Sequence, residues 1–209
     1  LSNSLVIAFD GPAASGKGTL ASKIASDLGL PFMDTGLLYR AIGHILHHQK
    51  DITIEAASAQ ITPEFLQNPD LRSREAGERA SIVGARPEVR AALLAIQKSF
   101  AALPKGAVLD GRDIGTVIAP DAPIKFFITA SAEVRAKRRF MQLSQLDGNL
   151  RFEGVLADIK RRDERDQGRD QAPLIMAKDA HLIDTSEMSI DEATEAARAW
   201  VRLVCGSDD

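Results

Sequence analysis

Two glycines five positions apart, followed at once by a lysine, form the most chemically loaded string in the chain: Gly11, Pro12, Ala13, Ala14, Ser15, Gly16, Lys17, Gly18 and Thr19, read as GPAASGKGT. The string follows the apolar run LVIAFD at residues 5–10 and opens a stretch in which Leu20, Ile24 and Leu28 recur at helical spacing. A glycine-rich loop between a strand and a helix turns backbone N–H groups toward an anion, and the helix dipole adds to the attraction. Context, spacing and lysine together read as a phosphate-binding loop. Lys17 supplies a point charge for the outer oxygens of a triphosphate. The general motif has Ser or Thr straight after the lysine; here Gly18 intervenes, so Thr19 is the candidate for Mg2+, directly or through water.

Other charged residues gather where a ligand could use them. Thr35 and Arg40, in DTGLLYR, offer a hydroxyl and a guanidinium suited to a terminal phosphate; the plain alternative is a helix cap and a surface arginine. Asp110, Arg112 and Asp113 follow the apolar stretch AVLD, and open α/β sheets place ligands beyond the carboxyl ends of their strands. Arg162, Asp166 and Arg169 fall at i, i+4 and i+7, one face if the helix continues through Gly168. An exposed helix laced with salt bridges is the bland account of the same spacing. His44, His47 and His48 have a spacing that could bind metal, but no carboxylate or cysteine completes the set, and a solvated face accounts for them.

The elements that must position these groups are legible as short apolar runs at 5–10, 107–110, 125–130 and 181–184, with helical stretches between them. Such alternation predicts a parallel sheet covered on both faces. A final helix over 190–204 turns Ala193, Ala197, Trp200, Val201 and Val204 to one side, with Trp200 read as core. Residues 41–103 are helical and polar, without a strand strong enough to join the sheet. Residues 146–172 are charged and glycine-containing, as a mobile flap would be.

With 209 residues the chain suits one α/β domain with appendages. Its 26 basic and 29 acidic residues disfavour a nucleic acid polymer or an anionic membrane as partner. Locally the balance differs, since residues 135–169 hold ten Lys and Arg against six Asp and Glu. Cys205, the single cysteine, allows no internal disulfide and fits a reducing cytoplasm. No run is long and apolar enough for a signal core or a membrane span, so a cytoplasmic protein is expected.

In order along the chain, GPAASGKGT at Gly11, DTGLLYR at Asp34, LDGRDIGT at Leu109 and IKRRDERDQGRDQAP at Ile159 resemble the bacterial cytidylate kinases. The resemblance spans nearly the whole chain. GKGT alone is shared with adenylate kinases, whereas GRDIGT followed by PDAP and RRDERD is far more specific. It implies the three-layer P-loop fold of the nucleoside monophosphate kinases: a five-stranded parallel sheet in a core of residues 1–40, 104–145 and 173–209, a monophosphate-binding insertion at 41–103 and a lid at 146–172. It also implies transfer of the γ-phosphoryl of ATP, with Mg2+, to CMP or dCMP.

By the same resemblance, residues 11–19 with Arg138 and Arg139 hold ATP, and Lys17, Arg162, Asp166 and Arg169 carry the transfer. Thr35 and Arg40 bind the acceptor phosphate, Asp113, Arg90 and Ser81 read the base, and Arg112, Arg162, Asp166 and Arg169 complete the acceptor site. Asp110 serves either the acceptor nucleotide or magnesium. The expected partners are these small molecules alone, with the chain a monomer. A kinase for UMP or AMP, or an ATPase switch, is the competing reading. The chain departs from the family at Ala14, often glycine there, which is tolerated where the backbone avoids positive φ. It departs again between Thr62 and Arg72, which leave no room for a small extra β-sheet.

Overall fold

The computed structural model describes residues 4–145 and 150–206. Its frame is a parallel sheet of five strands, β1 (Val6–Asp10), β2 (Phe32–Asp34), β3 (Ala107–Gly111), β4 (Ile124–Thr129) and β5 (His181–Asp184), in the order β2-β3-β1-β4-β5. Around it lie α1 (Lys17–Leu28), α2 (Thr35–His48), α3 (Ile54–Ala59), α4 (Arg74–Val83), α5 (Pro87–Ala101), α6 (Ala132–Leu143), α7 (Phe152–Gln167) and α8 (Ile190–Cys205).

The strands read as unbroken apolar runs because both faces of the sheet are covered. Successive side chains of a strand point to opposite faces. Along β1, Ile7 and Phe9 therefore enter one core with Leu20 and Ile24 of α1 and Ala197 and Val201 of α8. Val6 and Ala8 enter a second core, against which Leu94 and Phe100 of α5 pack. Phe9 stacks on Phe126 of β4 at 4.7 Å between ring centres. Trp200 packs on the first core and stacks on His181 at 4.0 Å, the packing role expected of it. Val204 corrects the expectation, because the buried stripe of α8 ends at Val201 and Val204 is 43% exposed.

Residues 41–103 hold no strand; between α3 and α4 lie two 3₁₀ turns, Phe65–Gln67 and Pro69–Arg72. A third core joins Leu38, Ile42 and Ile45 of α2 to Val83, Val89 and Leu93, so α2 runs uninterrupted across residue 41. Against His44 of that helix, Phe65 packs edge-on at 5.9 Å. A fourth, small cluster seats Val155 and Ile159 of α7 against Ala136 of α6 and Ala13. Residues 146–149, where the expected lid begins, lie outside the described residues.

Strand order reverses about β1, which opens a crevice at the carboxyl ends of β1, β3 and β4. Register places Phe9 and Asp34 on either side of Asp110, and Asp10 beside Gly111. Asp10 then accepts the backbone N–H groups of Ile114 at 2.8 Å and Gly115 at 2.7 Å, pinning the π-type turn Ile114–Ile118 that follows the charged segment after β3. Burial pushes the Asp10 carboxyl up to about 7, against the pull of those two bonds and with help from the charges of Asp113 and Asp110. The folded chain thus keeps a proton that the unfolded chain has released. Stability owed to Asp10 falls as pH rises from about 4 to about 7, by up to about 1.4 kcal/mol per pH unit, and levels off above. Denaturant unfolding at pH 5, 6, 7 and 8 should show a steeper loss up to pH 7 in the wild type than in Asp10→Asn.

Candidate active site

The loop after β1 is shaped by backbone positions that few residues adopt. Gly11 has φ 147°, and a Cβ there would overlap the carbonyl oxygen of Ile128. Gly16, the N-cap of α1, has φ 90°. Ala14 has φ 60°, so the condition for tolerating alanine is not met: a left-handed turn is held here by a residue with a Cβ. Lys17 begins α1 with its side chain drawn inward, its Nζ 3.2 Å from Asp110 Oδ1. Burial and the neighbouring Arg112 lower the pKa of Lys17, while burial raises that of Asp110 against the pull of Lys17. The glycine after the lysine has a reason in this pair, because a Cβ at Gly18 would lie 2.8 Å from Asp110 Oδ2. Thr19 is exposed and lines the cleft beside the loop.

Beside this loop sits a carboxylate shared by three guanidiniums. Asp166 of α7 is 1% exposed and accepts from Arg112 Nε at 2.9 Å and from Arg169, while Arg162 Nε lies 3.9 Å away. Burial works against the charge of Asp166, but Arg112, Arg162 and Arg169 outweigh it and hold its pKa below the ordinary range. The cations outnumber the acid. Burial, then the repulsion of Arg112, pulls Arg162 down to about 9, and burial with Arg139 pulls Arg40 down to about 10. The Nε atoms of Arg162 and Arg169 are buried without a hydrogen-bond partner among the described residues. The shared helical face is corrected in one respect: α7 ends at Gln167, and Arg169 reaches Asp166 by folding back from beyond Gly168.

A small pocket lies on the other side of Asp166, walled by Thr35, Tyr39, Ser81, Arg90, Asp113 and Arg169. Asp113 pairs with Arg90, whose guanidinium also lies 5.8 Å over the Tyr39 ring. Burial raises the Asp113 pKa, while Arg90 and Arg169 oppose the rise. Thr35 does not cap α2; Asp34 does, and the Thr35 hydroxyl donates to the Asp110 carbonyl at 2.8 Å. Arg40 stands apart from this pocket, anchored to the Leu71 carbonyl at 2.9 Å, and lines instead a cleft of about 720 Å³ beside Lys17, Thr19, Arg138 and Arg139.

Residues 7–202 match the profile of the cytidylate kinase family. The chain belongs to the cytidylate kinase family. A cytidylate kinase of Azorhizobium caulinodans is 54% identical over 206 residues, covering 97% of this chain and 100% of the relative. Another, of Xanthobacter autotrophicus, is 55% identical over 201 residues, covering 94% and 97%. Among solved structures, an uncharacterized protein from Eubacterium ventriosum matches with TM-score 0.56 at 17% identity, over 96% of this chain and 99% of that one. An unliganded sugar kinase from Janibacter matches with TM-score 0.51 at 16% identity, over 95% of each chain. These two likenesses are of fold.

In this cytidylate kinase family chain, the sequence-marked arginines of α6 point two ways. Arg138 donates to the Thr185 hydroxyl at 2.8 Å and to its carbonyl at 2.6 Å, whereas Arg139 approaches the Ser73 carbonyl at 3.4 Å. Thr185 itself escaped the sequence reading. Its hydroxyl donates to the Ser15 carbonyl at 2.9 Å, tying the end of β5 to the phosphate loop. Arg135 and Asp163 were missed as well; they form a two-pronged pair at 3.0 and 2.7 Å that joins α6 to α7. Position directly after an apolar strand could have marked Thr185, but helix-to-helix pairing leaves no such mark. The Thr19 hydroxyl and the Asp110 carboxylate, whose Oδ1 meets Lys17 Nζ at 3.2 Å, are oxygens suited to a hard divalent cation.

Because Ala14 sits in left-handed backbone, Ala14→Gly should raise stability by about 1 kcal/mol in urea unfolding. Gly11→Ala should lower it well beyond that amount, since its Cβ meets backbone.

Proposed function

We propose that this chain transfers the γ-phosphoryl of ATP to the phosphate of CMP or dCMP, yielding ADP and the diphosphate. The observation that carries this reading is the buried excess of guanidinium charge around Asp166, set between a phosphate loop and a pocket edged by Asp113, Arg90 and Ser81. Buried cations that outnumber their counter-ions favour a polyanion. The acceptor is itself an anionic oxygen, so no strong general base is needed. Positioning and charge supply the acceleration instead.

In this reading the backbone of residues 11–19 and Lys17 cradle the triphosphate, and Arg138 and Arg139 help to hold ATP. Arg40 faces the acceptor phosphate from the cleft beside the loop, while Thr35 edges the acceptor pocket with its hydroxyl held by the Asp110 carbonyl. Arg112, Arg162 and Arg169 spread over the transferring group, and Asp166 keeps them in place and meets the sugar. Thr19 and Asp110 would hold Mg2+, which supplies neutralisation of the donor's phosphate charge. The segment 41–103 serves as acceptor-binding insertion and 146–172 as lid, closing to exclude water that would otherwise take the phosphoryl group. We place the work in pyrimidine nucleotide metabolism in the cytoplasm, by a monomer.

Cytosine presents an amino donor at N4 and acceptors at N3 and O2. An ionised Asp113 accepts from N4, and uracil puts an acceptor in the same place, so CMP is preferred to UMP. An ATPase switch would consume ATP without an acceptor, and a UMP or AMP kinase would invert the preference. ADP formation measured across a panel of nucleoside monophosphates should be near zero alone and fastest with CMP or dCMP. Asp113→Asn should narrow the ratio of kcat/KM for CMP over UMP by about tenfold; an unaltered ratio means that the base is read elsewhere. Lys17→Ala should lower transfer by about 100-fold or more while a cooperative thermal transition remains, as Asp110 takes a proton in place of its lost partner.

A further inference from the structure

Arg165 lies on α7, one residue before Asp166, yet its side chain turns away from the phosphate arginines toward α4. It donates to the Ser81 hydroxyl oxygen at 2.6 Å and to Glu78 Oε1 at 3.0 Å, a fork that seats the guanidinium between two successive turns of the same helix. Ser81 is 2% exposed and lines the small pocket with Asp113 and Arg90. A serine hydroxyl has one proton to give and two lone pairs to receive with, whereas a guanidinium can only donate. With Arg165 on one lone pair, the Ser81 oxygen is an acceptor toward α7, and no acceptor for its own proton is found among the described residues. That proton is free to turn into the pocket.

We propose that Arg165 is a specificity-positioning residue: by occupying one of the two lone pairs of the Ser81 hydroxyl it favours donation of the proton toward the base, which suits an unprotonated ring nitrogen and opposes an N–H. The inference rests on the functional reading above and deepens it. The Watson–Crick edge of cytosine runs donor, acceptor, acceptor; that of uracil runs acceptor, donor, acceptor. Asp113, a donating Ser81 and Arg90 form the complement of the first series. Against uracil, both Asp113 and Ser81 are mismatched. Without Arg165, the hydroxyl can rotate and present a lone pair to the N–H of uracil, so discrimination at that position relaxes. Because Arg165 sits on the helix that also carries Arg162 and Asp166, the same bond ties the base pocket to the phosphate cluster.

The test is kcat/KM for CMP and for UMP in the wild type, Arg165→Met, Arg165→Lys, Glu78→Gln, Ser81→Ala and the Arg165→Met/Ser81→Ala double variant. Retention of ATP-induced thermal stabilisation in each shows a folded donor site. Arg165→Met should lower the CMP/UMP ratio about tenfold, the worth of one hydrogen bond to a charged group. Arg165→Lys, which keeps a donor, should recover most of the ratio, and Glu78→Gln should lower it by less. The double variant should match Ser81→Ala alone, since both changes act through one hydroxyl. A ratio unchanged in Arg165→Met, or effects of Arg165→Met and Ser81→Ala that multiply, overturns the role of Arg165 while leaving the functional reading intact. A wild type with no preference for CMP overturns both.

Discussion

One buried carboxylate answering to three guanidiniums is the interaction on which the rest of the site depends. Asp166 is too enclosed to be solvated, and Arg112, Arg162 and Arg169 are too crowded to be neutralised by it alone. A charge imbalance of this kind is unfavourable by itself and is relieved by an anion. Asp166 fixes the orientation of Arg112 and Arg169, and charges held in place in this way act on a developing charge most effectively. Their scaffold is shared out between the end of β3, which supplies Arg112, and α7, which supplies Arg162 and Asp166.

The other buried acids divide the remaining work by what they touch. Among the described residues Asp10 accepts only backbone N–H groups and so acts as a clamp on the turn after β3. Asp110 faces Lys17, and Asp113 faces Arg90. Parallel register brings the strand-end acids Asp10, Asp34 and Asp110 close together, so the charge of Asp110 adds to the burden on Asp10 and that of Asp34 to the burden on Asp110. The glycine at position 18 follows from this crowding, because Asp110 already fills the space that a side chain there would take.

Contacts between α4 and α7 join two helices that both line the small pocket beside Asp113. Arg74 pairs with Asp158, and Arg165 pairs with Glu78. All four of these side chains are partly exposed, so each pair is worth little to stability.

Much of the architecture was legible in the residues themselves. Doubly covered strands require unbroken apolar runs, and a phosphate loop requires its glycines and lysine between a strand and a helix, so both leave local marks. Cation and acid spacing at 162, 166 and 169 marked the cluster too, although not that the helix would stop at Gln167 and Arg169 fold back. The sequence could not assign Thr185, Arg135, Asp163, Asp10 or Arg165, whose partners lie on distant segments: a hydrogen bond across 170 residues or 104 residues has no period. Nor could it decide the backbone at Ala14, whose φ of 60° runs against alanine's own preference. Local pattern determined the strands, the loop and the kinds of charge available; only the tertiary fold decided which charge meets which, because pairing depends on distances between segments that the chain order does not contain.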